Sequence, residues 1–140
     1  MPFLAEASIE IPVPPAVAFA KLLDFPSWDS WMPPSFRPAR PHGPLRLGDR
    51  IFVRIGKSPS ASPLTISIVD EPHTLAWRGG IGKLLFAEHV FRFEAKGAGT
   101  IVRSQEIWDG KISRFVRPLV KRLAERIGRE QIEALARALR

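Results

Sequence analysis

ISRFVRPLVKRLAERIGREQIEALARAL, residues 112–139, is the stretch that decides the fold. Its apolar residues recur at steps of three and four, which is the spacing of one face of an α-helix. About 28 residues at 1.5 Å each predict a rod of roughly 40 Å, with Ser113 as its N-cap. Gly128 and Gln131 interrupt the apolar stripe, and we expect the helix to bend or loosen there. A stripe this long needs an apolar surface, so the upstream chain is expected to build one.

Length and composition indicate an ordinary globular protein. A chain of 140 residues with 45% hydrophobic and 25% charged residues predicts one domain over residues 1–140. The absence of cysteine excludes disulfides, thiolate catalysis and Cys-ligated metal. The N-terminal segment lacks the pattern of a signal peptide, and no apolar run is long enough for a transmembrane helix. We therefore expect a cytoplasmic protein.

Positive charge is concentrated at the C-terminus. Residues 111–140 carry nine Lys/Arg and three acids, whereas residues 1–110 carry twelve and eleven. A basic helix face is compatible with nucleic acid, ribosomes or anionic lipid. The interpretation we favour is a solvated helix surface with ion pairs Glu125–Arg129 and Glu133–Arg137. Nucleic acid is therefore not the favoured partner, and peripheral membrane contact stays open.

Upstream of this helix, short segments predict one strand, two helices and then further strands. Alternation of apolar and polar residues predicts a strand at Phe3–Ile11, and a helix is expected over Ala16–Leu23. Ser27 is a candidate N-cap of a second short helix, and the proline-rich residues 32–44 predict an extended segment or an edge strand. Later strands are expected at Ile51–Ile55, Leu64–Val69, Thr74–Gly79, Leu84–Ala95 and Thr100–Asp109. Short connections imply antiparallel pairing, hence an α+β fold with a curved sheet of six to seven strands around the long helix.

The order and spacing of several short motifs resemble the START/Bet v1-like (SRPBCC) superfamily, in particular its bacterial polyketide cyclase/dehydrase-like branch. The resemblance covers essentially the whole chain. It rests on the segments Ile9–Leu23, Asp24–Trp31, Leu47–Arg50, Ile68–Pro72, Leu75–Gly79, Glu88–Phe93, Gly99–Thr100 and Glu106–Gly110. It implies a helix-grip fold with a cavity between the sheet and the last helix, usually for apolar small molecules. It implies no particular activity, because the superfamily includes cyclases, lipid carriers, receptors and co-chaperones.

The last predicted hairpin brings a histidine and a glutamate together. If Ala95 pairs with Thr100, then His89 pairs with Glu106 on the concave face of the sheet. As a catalytic pair, they would perform acid–base chemistry in an apolar hollow. As a structural pair, His89 would only satisfy a buried carboxylate. The structural interpretation is favoured, because no nucleophile or metal ligand accompanies the pair.

Aromatic residues are the remaining candidates for a binding site. The candidate lining residues are Trp28, Trp31, Phe36, Trp77, Phe91 and Trp108. Core packing is the favoured role of Trp77, which is expected to pair with Ile66 if Val69 pairs with Thr74. His42, His73 and His89 are too scattered for a local metal motif, and no cofactor motif is present. We therefore expect neither a metal nor a cofactor.

Three functions remain in view. The first is binding of an apolar or aromatic small molecule, with His89 and Glu106 as polar contacts. The second is a cyclase- or dehydratase-like reaction at that pair. The third is a lipid or quinone carrier, or a partner-binding protein, that uses the basic helix. The sequence leaves open whether the protein is a monomer or a homodimer.

Overall fold

The computed structural model describes residues 2–140 and contains seven β-strands and three α-helices within that range. The strands are β1 Phe3–Ile11, β2 Phe36–Ala39, β3 Arg50–Ile55, β4 Ser62–Asp70, β5 Thr74–Ile81, β6 Leu85–Lys96 and β7 Gly99–Asp109. The helices are α1 Pro15–Leu23, α2 Trp28–Trp31 and α3 Ser113–Ala138, with a 3₁₀ turn at Phe25–Ser27. The proline-rich segment contributes β2.

The strands form one curled antiparallel sheet that grips α3. Its order is β1-β7-β6-β5-β4-β3-β2, so the first strand closes against the last one and β2 lies at the far edge. α1 and α2 follow the first strand, and α3 packs mainly on β1 and β7. This is the predicted α+β helix-grip architecture. The concave face of the sheet is thereby placed opposite the helix.

The predicted register of the β6–β7 hairpin is confirmed. Ala95 pairs with Thr100, and His89 pairs with Glu106. A tight turn sets the pairing, and strict alternation then carries it along both strands. Side chains at odd positions of β6 therefore share the concave face, among them that of Phe91.

The predicted register of the β4–β5 hairpin is wrong at its turn and right further along. Thr74 pairs with Asp70, not with Val69. A bulge between Ile66 and Ile68 then shifts the register by one residue. Trp77 consequently pairs with Ile66, as predicted, although the assumed turn was incorrect.

α3 starts one residue earlier than the predicted N-cap, Ser113, implies. The helix begins at Ser113, and Ile112 is its N-cap without a side-chain hydrogen bond. The backbone N–H of Ile112 bonds to the carbonyl of Leu84, while its own carbonyl accepts the N–H groups of Phe115 and Val116. Because the carbonyl of Ile112 starts the helical pattern, Ser113 takes the first helical position, where it is buried.

The apolar stripe of α3 is buried in only one half of the helix. We call residues 124–138 the packing half, which holds every buried α3 residue except Ser113. We call residues 113–123 the rim half, where Phe115 and Leu119 are 67% and 80% exposed. The prediction that the whole stripe lies on the sheet is therefore wrong for the rim half.

The predicted loosening at Gly128 and Gln131 does not occur, because α3 is continuous through both residues and both are buried. A Cβ atom on Gly128 would lie 2.8 Å from the Oγ atom of Ser104 on β7. The missing side chain thus lets the helix approach the sheet closely.

The ion pairs of α3 also differ from the predicted ones. In the described chain they are Lys121–Glu125 at 3.1 Å and Arg126–Glu130 at 3.8 Å. Glu125 thus pairs with the cation that precedes it, which leaves Arg129 and Arg137 outside these pairs and exposed.

Candidate ligand-binding cavity

A cavity of about 450 Å³ lies between the concave face of the sheet and α3. Its walls are almost entirely apolar. The sheet contributes Phe36, Ile55, Leu64, Trp77, Gly79, Gly80, Leu85, Ala87 and Trp108, and the helix contributes Val120, Leu123, Ala124 and Ile127. The polar exceptions within the interior are few: His89, Glu106 and Gln131, with Ser62 on β4. Volume and lining are typical of small-molecule sites.

Five of the eight predicted site residues line this cavity. They are Phe36, Trp77, His89, Glu106 and Trp108. The rings of Phe36 and Trp77 are stacked, with centroids 5.7 Å apart and planes at 17°. The indole of Trp108 lies parallel to the ring of Phe3 at 6.1 Å. These rings form flat aromatic parts of the wall.

The other three predicted residues lie outside the cavity walls. Trp28 is completely buried behind the wall, where its indole N–H donates to the carbonyl of Leu22 at 2.9 Å. Phe91 is buried against Trp77, with ring centroids 5.0 Å apart. Trp31 is half-buried, and its N–H donates to the hydroxyl of Ser27 at 3.0 Å. These side chains support the wall and do not form its surface.

His89 is held by both strands and is electrically neutral. Its Nε2 atom lies 2.7 Å from the hydroxyl of Ser104, and its ring stacks on Phe91 at 4.2 Å. Its Nδ1 atom lies 3.7 Å from Oε2 of Glu106. Burial lowers the pKa of His89 to about 3, because the imidazolium would lose its hydration.

Glu106 is the titratable carboxyl group of the cavity. Its side chain is 16% exposed, and Glu106 lines the cavity. Burial raises the pKa of Glu106 to about 7, and the neighbouring Trp108 partly opposes this effect. Since burial favours the neutral form of both His89 and Glu106, the pair is not a strong ion pair. A carboxyl group with a pKa near 7 can accept or release a proton at neutral pH.

Two polar groups of the cavity wall have no hydrogen-bond partner among residues 2–140. One is the indole Nε1 of Trp108, whose effect on Glu106 is therefore a weak attraction and not a well-formed hydrogen bond. The other is the whole side-chain amide of Gln131, which is only 2% exposed. Gln131 was not predicted as a site residue. The available signal was its polar side chain at an apolar position of the helix stripe.

The rim of the cavity is apolar and positively charged. Ile81 and Leu123 line the cavity and are 69% and 41% exposed. Phe115 and Leu119 continue this exposed surface along the rim half. The five cations between residues 111 and 122 have no acidic residue among them.

Two further structural findings bear on the site. In residues 2–140, no group of three or more His, Asp or Glu side chains is arranged to hold a metal ion. No described helix is both long and apolar enough to cross a membrane.

Comparison with known proteins places the chain in a family. The family model described as "Polyketide cyclase / dehydrase and lipid transport" matches residues 2–140, so the chain belongs to that family. This confirms the resemblance seen in the sequence. No curated protein sequence matches the chain.

Solved structures share the fold at low sequence identity. A protein from Thermus thermophilus is 16% identical with a TM-score of 0.72, and the match covers 98% of this chain and 97% of that one. A START superfamily protein from Mycobacterium smegmatis is 14% identical with a TM-score of 0.72, covering 97% and 96%. A point mutant of norcoclaurine synthase from Thalictrum flavum, in complex with a transition-state analogue, is 13% identical with a TM-score of 0.73, covering 99% and 94%.

Proposed function

We propose that this protein binds an apolar or aromatic small molecule in the cavity between its curved sheet and α3. The observation that carries the proposal is an apolar space of about 450 Å³ between the concave face of the sheet and α3. Close packing is the rule in protein interiors, so a space of this size is the exception that a ligand would fill.

The lining favours a ligand with a flat ring system. Phe36 and Trp77 present stacked rings on one part of the wall, and Trp108 presents a further indole. Aromatic rings pack well on one another, which gives a planar ligand more favourable contacts than a branched aliphatic one. In the proposal these three residues contact the ligand. Trp28, Trp31 and Phe91 hold the wall in position from behind.

Native mass spectrometry of gently purified protein tests the proposal, followed by extraction of any molecule that travels with it. The complementary experiment adds a library of aromatic molecules and lipids and follows tryptophan fluorescence. Binding of at least one apolar class is expected. A protein that shows no adduct and binds no member of the library would contradict the proposal.

Two variants on the same face of β6 provide a matched control. Ala87 lines the cavity, whereas Ala95 is exposed at the far end of the strand. Ala87→Leu fills part of the cavity and should weaken binding by about tenfold or more. Ala95→Leu adds the same atoms outside the cavity and should leave the affinity unchanged. Equal affinities of the two variants would place the ligand elsewhere.

A second candidate function is acid–base catalysis by His89 and Glu106. The observation that favours it is a carboxyl group with a pKa of about 7, 3.7 Å from an imidazole in an apolar cavity. Such a group can move a proton to or from a carbonyl or enol at neutral pH. The norcoclaurine synthase structure supports the candidate, because that protein is an enzyme with this fold.

Screening polyketide-like substrates with the wild type, Glu106→Gln and His89→Ala tests catalysis. If the pair is catalytic, Glu106→Gln should bind substrate normally and lose about 100-fold or more in turnover. Absence of turnover in the wild type, or equal turnover in Glu106→Gln, counts against this function.

A carrier role is favoured by the rim and is compatible with simple binding. Exposed Phe115 and Leu119 stand beside cations such as Arg122, a combination that suits anionic lipid surfaces. Salt-sensitive sedimentation with vesicles containing phosphatidylglycerol is expected, and it should be lost in Leu119→Ser/Arg122→Glu. Arg137→Glu, in the packing half, serves as the charge control. Equal loss in both variants would point to net charge alone.

A further inference from the structure

The amide of Gln131 is buried without a partner in an apolar wall. Its side chain is 2% exposed, and neither its oxygen nor its nitrogen forms a hydrogen bond within residues 2–140. It stands one helical turn from Ile127 and from Leu135, which are both buried. An apolar side chain here would pack without loss, whereas an unpaired amide destabilises the protein.

A second buried polar group without a hydrogen-bond partner in the described part of the chain lies on the opposite wall of the cavity. The indole N–H of Trp108, on β7, is buried and lacks a hydrogen bond of normal geometry. Trp108 and Gln131 line one cavity from the sheet and from the helix. His89 differs from both, because its ring already contacts Ser104 and Glu106. The unpaired groups of the wall thus offer N–H donors on two sides and one amide oxygen as acceptor.

We propose that the ligand carries an oxygen substituent on its apolar frame, a hydroxyl in the first place, and that Gln131 and Trp108 bind it. This inference rests on the proposed binding function. The ligand oxygen accepts N–H groups from the indole or the amide, and a hydroxyl also donates to the amide oxygen. The ligand is then a phenol or a related oxygenated ring compound, not a bare hydrocarbon.

Three probes of one ring system separate these classes: 2-naphthol, 2-methoxynaphthalene and naphthalene. The naphthol donates and accepts, the ether only accepts, and the hydrocarbon does neither. A wall without polar groups would favour naphthalene, because water solvates the hydroxyl. We expect the opposite order in the wild type, with 2-naphthol about fivefold to tenfold tighter than naphthalene.

Gln131→Met is the decisive variant, since it keeps the length of the side chain and removes both amide groups. The preference for 2-naphthol should shrink to about twofold or less, while naphthalene binds as before. The midpoint of thermal unfolding of the ligand-free protein should rise by about 3–5 °C, because an unpaired buried amide is gone. A purely structural glutamine would show the reverse, a lower midpoint and an unchanged preference.

Trp108→Phe is an independent test of the second proposed donor, because it removes the indole N–H and keeps an aromatic ring. It should also reduce the preference for 2-naphthol. If the wild type binds naphthalene as tightly as 2-naphthol, the inference fails and the proposed binding function stands. If no apolar molecule binds in any experiment, the proposed function fails and the inference with it.

Discussion

The packing half of α3 lies against β1 and β7 with its apolar residues buried, whereas the rim half extends along the cavity with Phe115 and Leu119 exposed. Both halves have the same three- and four-residue periodicity. The packing half stabilises the fold and also lines the cavity through Ala124, Ile127 and Gln131. The rim half lines the cavity through Val120 and Leu123. Apolar periodicity therefore identifies one face of a helix, but it does not show which part of that face is buried. An exposed apolar part is a candidate binding surface.

The largest expected difference between the halves is in stability. Leu135 in the packing half is 1% exposed, so Leu135→Ala should lower the free energy of unfolding by about 3 kcal/mol. Leu119 in the rim half is 80% exposed, so Leu119→Ala should change the free energy of unfolding by less than about 0.5 kcal/mol. Urea denaturation measures the free energy of unfolding of both variants. Similar losses in the two variants would mean that the rim half is covered in solution, for example by a second copy.

The sequence predicts the sheet and the His89–Glu106 pair well because hairpin register follows from turn position and strict alternation. The sequence does not show which aromatic side chains line the cavity and which are buried behind its wall. Trp28 and Trp77 are both almost fully buried, yet only Trp77 lines the cavity. The difference depends on how α2 packs behind the wall, which no local spacing encodes.

The helix side of the cavity was missed for a related reason. Ala124 and Ile127 belong to the ordinary apolar stripe, and nothing in their type separates lining from packing. Gln131 did carry a signal, but an isolated polar residue in a stripe also fits a local irregularity. Only its burial without a partner distinguishes the two interpretations.

The second prediction concerns the carboxyl group of Glu106, which lines the cavity. The pKa of Glu106 is raised from 4.5 to about 7, so the unfolded chain releases this proton at lower pH than the folded protein. Stability from this group is therefore present below pH 4.5 and is lost as the pH rises to about 7. Glu106→Gln does not titrate, and its stability relative to the wild type should increase by up to about 3 kcal/mol between pH 4.5 and 8.

Urea denaturation of both proteins across this range tests the sign. The effect of His89 is opposite, because a pKa lowered from 6.5 to about 3 reduces stability as the pH falls through that interval. Since His89 is present in both proteins, its contribution largely cancels in the difference. A difference that does not change with pH would show that Glu106 keeps its ordinary pKa.

The smallest expected effect tests the contact where the packing half meets the site. Gly128→Ala places a methyl group 2.8 Å from the hydroxyl of Ser104, which also contacts His89. Alanine favours a helix by about 1 kcal/mol over glycine, so an unobstructed position would gain stability. At Gly128 we expect the free energy of unfolding to fall by about 1–2 kcal/mol, because α3 must move away from β7.

Gly43→Ala, where a methyl group meets nothing within 4 Å, is the control. If Gly128→Ala instead stabilises the protein, the helix does not rest on Ser104, and the orientation of His89 does not depend on the packing half.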